Sequence, residues 1–229
     1  MFKYILFDLD GTLTDPKIGI TRSVQYALYA LGIDEPSLDR LEPFIGPPLA
    51  DSFREFYGLN EEQIATAIAK YRERFARQGI YENEIYPGIS EMLAELKRKG
   101  KILAIASSKP TLFVEQILDY FDIRKYFDFV VGSNMDGTRG RKEEVVEEAL
   151  RQMVPAEMIP DEKKDTVVMV GDRKFDIEGA RAQGITSVGV SFGYGSEREL
   201  EQAGADFTVN SVESLSVVLT LGTVSEWRV

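Results

Sequence analysis

The sequence predicts an α/β fold: a doubly wound parallel sheet with a small all-helical domain inserted after the first strand. Three observations carry this. Short apolar runs of strand length recur along the chain. Amphipathic helical stretches separate them, the order expected of parallel strands joined by crossover helices. One long interval, from about residue 17 to residue 83, breaks the alternation and holds only helical pattern.

The elements follow in chain order. The first strand is predicted over Phe2–Leu9, a mostly apolar run suited to burial on both faces. The insert is predicted to open with a helix over Ile20–Leu31, stopped by Gly32, and a second over Pro48–Tyr57, stopped by Gly58. A third starts at the capping residue Asn60 and aligns Ile64, Ala67, Ile68, Tyr71 and Phe75 on one face. The main alternation then resumes. Strands are predicted over Ile102–Ala106, Phe127–Val131, Thr166–Val170, Thr186–Val190 and Asp206–Val209. Helices are predicted over Ile89–Lys99, Thr111–Tyr120, Lys142–Met153, Phe175–Gln183 and Glu197–Ala203. The tail, Thr223–Val229 with Trp227, shows little pattern and reads as packed on the sheet edge or frayed. The expected division is a core of residues 1–16 and 84–229 and an insert of residues 17–83, with joints near Thr14–Lys17 and Asn83–Gly88 where a hinge is expected.

Composition limits the chemistry. The chain has 229 residues, enough for one large domain or two modest ones, and contains neither cysteine nor histidine. That removes thiolate nucleophiles, disulfides, Cys- or His-bound metals and the Ser-His-Asp triad. Catalysis is left to carboxylates, Lys, Arg, hydroxyls, backbone groups or a hard cation bound through oxygen. The formal net charge is −11, which argues against nucleic acid as a partner. No apolar run reaches the roughly 18 residues of a membrane span. The N-terminus lacks a signal-peptide cleavage pattern, so the expected location is the cytoplasm.

Four local features carry candidate chemistry. Asp8 and Asp10 leave the first strand in Phe-Asp-Leu-Asp-Gly-Thr, and residues two apart on a strand share a side. Gly11 allows a tight turn there. Asp172 follows the apolar run Val167–Val170 in the same way, with Asp176 at the start of a helix. Asp176 alone could be a favourable helix-start charge. Four carboxylates on two strand ends, however, would repel unless a cation lay between them, and an oxygen-only donor set points to Mg²⁺. Ser107 and Ser108 sit at another strand end, where hydroxyls and backbone N–H groups can hold phosphate oxygens, or merely form a polar turn before Pro110. Lys142 opens a helix, an unfavourable place for a cation unless it has an anionic partner; a solvated Lys is the alternative.

In this order, the four features resemble the haloacid dehalogenase-like phosphohydrolase superfamily, over nearly the whole chain. Asp8-Leu9-Asp10-Gly11-Thr12, Ser107, Lys142 and the pair Asp172/Asp176 match its four motifs, and the helical insert stands where that family carries its cap. The resemblance implies that Asp8 attacks phosphorus to form an aspartyl-phosphate and that Asp10 protonates the leaving oxygen and then activates water. It implies Mg²⁺ held by Asp8, the Asp10 carbonyl, Asp172 and, through water, Asp176, with Ser107 and Lys142 on the phosphoryl group. Gly11, Thr12, Ser108 and Arg139 are further candidates for substrate contact. The acid at position 10 matches the phosphatase and phosphomutase branches rather than the dehalogenases. The local sequences Pro87–Ile89, Ser107–Pro110 and Gly132–Lys142 resemble the phosphoglycolate-phosphatase and 5′-nucleotidase branch. One departure is that Lys142 is followed by Glu143-Glu144-Val145 rather than Pro-x-Pro, which weakens phosphoglycolate itself as substrate and leaves Arg139 or Arg141 open for the phosphate role.

In the insert, Phe44–Leu49 reads either as a loop aimed at the active site or as a helix-entry turn. Lys17, Arg22 and Arg54 read as substrate contacts or as surface charges. The expected partner is a small phosphorylated metabolite, on a monomer or homodimer. The alternatives are a β-phosphoglucomutase-like phosphomutase of the same fold and a non-catalytic Mg²⁺- or phosphate-binding protein.

Overall fold

The structure is a computed structural model describing residues 1–221; the tail from Thr223, with Trp227, lies outside the described residues. Its strands are β1 (Tyr4–Phe7), β2 (Thr14–Asp15), β3 (Glu84–Ile85), β4 (Ile102–Pro110), β5 (Phe129–Ser133), β6 (Val167–Gly171), β7 (Thr186–Val190) and β8 (Phe207–Val209). Six of them form one sheet in the order β5-β4-β1-β6-β7-β8, and every pairing in it is parallel. β2 and β3 form a separate two-stranded sheet.

The helices are α1 (Lys17–Ala30), α2 (Leu49–Tyr57), α3 (Glu61–Arg74), α4 (Ile89–Arg98), α5 (Thr111–Tyr120), α6 (Lys142–Met153), α7 (Pro160–Thr166), α8 (Lys174–Ala182), α9 (Glu197–Ala203) and α10 (Val212–Leu221). By contacts the chain divides into two units, Thr14–Glu84 and the remainder.

In the larger unit, β1, β6 and β7 are buried along their whole length, as strands covered on both faces must be. Strand periodicity sends Tyr4 and Leu6 of β1 to one side. There they pack with Ala104, Val131 and Met169 from neighbouring strands and with Val145, Val146, Ala149 and Leu150 of α6. Helix α6 therefore lies over the face to which β1 directs its even-numbered residues, and the next even residue is Asp8.

The smaller unit is helical apart from its short end strands. Helix α3 starts with a capping box: Asn60 Oδ1 accepts from the Gln63 N–H at 3.0 Å, and Gln63 Oε1 accepts from the Asn60 N–H at 3.0 Å. Gly58 closes α2 in the left-handed region at φ +62°. Phe44 is buried and meets Phe53, Phe56 and Tyr57 at ring-centroid distances of 5.0, 5.4 and 6.1 Å. Leu49, the end of the Phe44–Leu49 segment, is the first residue of α2, so part of that segment is helix entry.

Several boundaries differ from the sequence expectation. β5 lies two residues later than predicted, because Arg124–Tyr126 form a 3₁₀ turn and Phe127 leaves it extended. β1 is shorter than Phe2–Leu9, since the chain bends at Leu9, whose carbonyl accepts from the Thr12 and Leu13 N–H groups. The predicted helix Ile20–Leu31 begins earlier, at Lys17. Helix α7 was not expected: its sequence, Pro-Asp-Glu-Lys-Lys-Asp-Thr, has no apolar stripe, and its sequence signal is a proline at its first position. Helix α10 was also unexpected; its run Leu-Ser-Val-Val-Leu lacks a polar face to give a helical period.

Candidate active site

Strand β1 lies between β4 and β6, which the chain reaches on opposite sides of it. That reversal leaves a crevice at the carboxyl ends of the three strands, where open α/β sheets collect ligands. The registers pair Phe7 with Ile105 and with Val170, so Asp8, Ser107 and Asp172 emerge together within a residue or two of those rungs. The Asp8 N–H donates to Val170 O at 2.9 Å, tying the first acid to the strand that presents the third.

Asp8, Asp172 and Asp176 come together. Each offers an oxygen within 4.8 Å of those of the other two, and all three are buried. Lys142, also buried, reaches in from the first residue of α6, with Nζ 2.9 Å from Asp8 Oδ1 and 2.8 Å from Asp176 Oδ1, and donates to Ala106 O at 3.1 Å. Asp176 performs two tasks. Its Oδ2 accepts from the Arg173 N–H at 3.0 Å, capping α8, while Oδ1 faces Lys142. Asp172 Oδ2 accepts from the Tyr194 N–H at 2.9 Å, and Oδ1 accepts from Thr12 Oγ1 at 3.3 Å. Gly11 passes directly over Asp172 at φ +82°; a Cβ there would lie 2.2 Å from Asp172 Oδ2.

Asp10 stands apart from the triad. Its carboxylate Oδ2 is 2.7 Å from Lys109 Nζ, and both side chains are buried. In the sequence Lys109 stands with Ser107 and Ser108 in the strand-end run that reads as a phosphate holder or a polar turn before Pro110, with no role of its own. The signal that could have found it is position: it ends an apolar strand adjacent to the one bearing the acids. Ser107 is buried at the end of β4, where its Oγ accepts from the Lys109 N–H at 3.4 Å, and Ser108 is half-buried beside it. Arg139 takes a left-handed backbone, φ +52°, and its guanidinium donates to Gly132 O at the end of β5 at 3.0 Å and to Asn134 Oδ1 in its own loop at 3.3 Å. Thus Asp8, Asp172, Asp176, Lys142 and Thr12 converge, Asp10 joins Lys109, and Arg139 is tied to the loop that carries it.

The electrostatics are those of a site short of positive charge. Burial pushes the Asp172 carboxyl well above the ordinary carboxylate range, and the charges of Asp176 and Asp8 push the same way, against the Tyr194 N–H and Arg173. Burial also raises Asp176, to about 6, with Lys142 opposing it. Burial draws the Lys142 ammonium down, but Asp176 and Asp8 outweigh it and hold Lys142 above its usual range. Asp10 is raised by burial, opposed by Lys109. Ionised, the triad and Lys142 sum to −3 + 1 = −2. With these oxygens within 4.8 Å of one another, each ionised carboxylate pair would cost about 3.5 kcal/mol or more at an effective dielectric near 20. Asp8 Oδ1 and Asp176 Oδ1 are buried without an aligned hydrogen bond. A buried, oxygen-only donor set with two charges to balance fits a hard divalent cation.

The α/β sheet thus presents a buried acid triad that could hold a hard cation, a lysine bridging two of its acids, and a separate acid two residues after the first. The chain belongs to the haloacid dehalogenase-like hydrolases, whose family model matches residues 5–190. It is 48% identical over 196 residues to a 5′-nucleotidase of Pseudomonas aeruginosa, covering 86% of each chain. It is 38% identical to the tyrosine-protein kinase PtkA of Mycobacterium tuberculosis, covering 98% of this chain and 70% of that one. It is 30% identical to a phosphoglycolate phosphatase of Vibrio parahaemolyticus over 96% of each chain. A solved structure described as a predicted phosphatase from Clostridium acetobutylicum superposes with a TM-score of 0.90 at 43% identity, covering 96% of this chain and 99% of that one. Among the described residues, no helix is long and apolar enough to cross a membrane.

Proposed function

We propose that the protein is a Mg²⁺-dependent phosphomonoesterase acting on small phosphorylated metabolites, with nucleoside monophosphates the first class to test. The observation that supports the reading is the separation of the acids: Asp8, Asp172 and Asp176 gathered together with Lys142 on the first and last, and Asp10 paired with Lys109. Sharing 48% identity with a 5′-nucleotidase and lacking Pro-x-Pro after Lys142 favour a nucleotide over phosphoglycolate.

Asp8, Asp172 and Asp176 would hold the ion, with the Asp10 carbonyl available as a further oxygen. When bound, the ion supplies positive charge that offsets the repulsion between the Asp8 carboxylate and a phosphate dianion. An Asp8 oxygen attacks phosphorus as the ester P–O bond breaks, and Asp10 gives its proton to the leaving oxygen. Asp10 then takes a proton from water, whose oxygen attacks the aspartyl-phosphate. The P–O bond to Asp8 breaks, phosphate leaves, and both carboxyl groups return to their starting states. Lys142 offsets charge on the transferred group, Ser107 and Ser108 offer hydroxyls, and Gly11 and Thr12 fix the turn.

The test is phosphate release from a panel of nucleoside 5′-monophosphates, phosphoglycolate and p-nitrophenyl phosphate, with Mg²⁺ or EDTA. Hydrolysis is expected only with Mg²⁺ and to fall at least ~10³-fold in Asp8→Asn. Isomer formation from a hexose phosphate would favour the mutase reading. No turnover on any ester would favour a binding protein. Undiminished activity in Asp8→Asn would remove the nucleophile assignment.

A further inference from the structure

We propose that Lys109 is a positioning residue for Asp10, fixing which carboxylate oxygen exchanges the proton in the reaction; this rests on the acid–base role given to Asp10 above. Asp10 has two distinct oxygens. Oδ2 is engaged by Lys109 Nζ at 2.7 Å, whereas Oδ1 is buried and has no hydrogen-bond partner. A buried carboxylate oxygen without a partner is costly unless something arrives to bond it. Here the arriving groups are the leaving oxygen and then the attacking water. Lys109 thus anchors one side of the carboxylate and leaves the other aimed for transfer.

The local backbone is built for this. β4 pairs regularly with β5 up to Ala106 and then shifts its register before Pro110, so Ser107–Lys109 depart from the regular ladder. Gly132 of β5 accommodates that departure: a Cβ there would lie 2.4 Å from Lys109 O. The irregular strand end turns Lys109 toward Asp10, while the Lys109 N–H is retained by Ser107 Oγ. The two buried lysines of the site divide the work. Lys142 is committed to Asp8 and Asp176, so the charge facing Asp10 is supplied by Lys109.

A residue that acts only through Asp10 loses its effect when Asp10 is already disabled, which a double-mutant cycle reads directly. The set is Lys109→Met, Asp10→Asn, the double variant and Lys109→Arg, assayed with Mg²⁺ on a nucleoside 5′-monophosphate and on p-nitrophenyl phosphate. Lys109→Met is expected to lower kcat on the nucleotide about 10- to 100-fold, with KM changed less than about threefold. The p-nitrophenolate burst should persist, because that leaving group departs without a proton. Lys109→Arg should recover most of the loss. The double variant, which leaves no unpaired charge and so folds even where Lys109→Met does not, should match Asp10→Asn within about twofold. A double variant slower than Asp10→Asn by the full single-site factor would overturn the proposal. So would a rise in KM with kcat intact, which would make Lys109 a phosphate contact. Full turnover by Asp10→Asn would instead remove the acid–base assignment itself, a result visible before Lys109 is considered.

Discussion

The Lys142 ammonium stands 2.8 Å from Asp176 Oδ1, joining the first turn of α6 to the first turn of α8. A cation at a helix start works against the helix dipole, and it is retained because the carboxylates it meets outweigh that cost. Removing it should therefore be severe when no metal is present. Lys142→Met is expected to destabilise the metal-free protein by about 3–5 kcal/mol, the usual cost of breaking a buried ion pair. With saturating Mg²⁺ the loss should be smaller. Thermal melting with EDTA and with Mg²⁺ checks this; equal losses in the two buffers would show that Lys142 does not neutralise the triad.

Asp172 gives the opposite sign. Its carboxyl is buried, raised well above the ordinary range and crowded by Asp176 and Asp8. An amide keeps an acceptor for the Tyr194 N–H and loses the charge. Asp172→Asn is expected to raise the metal-free melting temperature by roughly 2–4 °C, the shift that corresponds to about 1 kcal/mol in a chain of this size. It should also abolish the Mg²⁺-dependent rise in melting temperature, along with hydrolysis. A variant less stable than the parent in EDTA would contradict the strain assigned to the triad.

The readability of this site in the sequence divides along physical lines. Asp8, Asp10 and Gly11 were legible because strand period and turn chemistry act within five consecutive residues. Asp172 and Asp176 were legible because the same acid-after-strand pattern recurs 164 positions on. The convergence of Asp8 with Asp172 and Asp176 depends on β6 lying beside β1, which no local pattern encodes. The pairing of Lys109 with Asp10 was not legible, because it accompanies a register shift between β4 and β5, a tertiary feature. Arg139 stands in a promising run, yet its loop folds so that the guanidinium is bonded to the end of β5 and to Asn134. Helix α7 was invisible because a seven-residue polar helix offers no periodicity to read.

Gly11 is a further test of the geometry. Its φ of +82° disfavours any side chain, and a Cβ would lie 2.2 Å from Asp172 Oδ2. Gly11→Ala must displace either the turn or the carboxylate. Because a misplacement of about 1 Å can cost about 100-fold in rate, Mg²⁺-dependent turnover should fall by at least that factor. The Mg²⁺ stabilisation in a melting experiment should weaken in parallel. Normal turnover with normal metal stabilisation would mean that the loop relaxes without touching Asp172.

The smaller unit offers a pH-dependent test of its own. Glu82 accepts from Arg74 through both carboxylate oxygens, at 2.8 and 3.0 Å, and from Arg22 at 2.9 Å; Arg74 also donates to Ser23 Oγ at 3.2 Å. The Arg74 hydrogen bonds, followed by that of Arg22, hold the Glu82 carboxyl below the ordinary glutamate value of 4.5 despite partial burial. A carboxyl whose pKa is lower folded than unfolded stabilises the fold above the unfolded value, and that contribution disappears as pH falls through the folded one. Glu82→Gln should thus cost about 1–2 kcal/mol near pH 7, as charged hydrogen bonds of this kind contribute. As pH falls through the folded value, below 4.5, the variant and parent should converge, since protonation removes the same charge from the parent. Chemical denaturation at pH 7 and at a series of acid pH values measures the difference directly. A gap that stayed constant down to the acid transition would show that the amide loses packing rather than charge, and that the Arg22–Glu82–Arg74 cluster is not what ties these helices together.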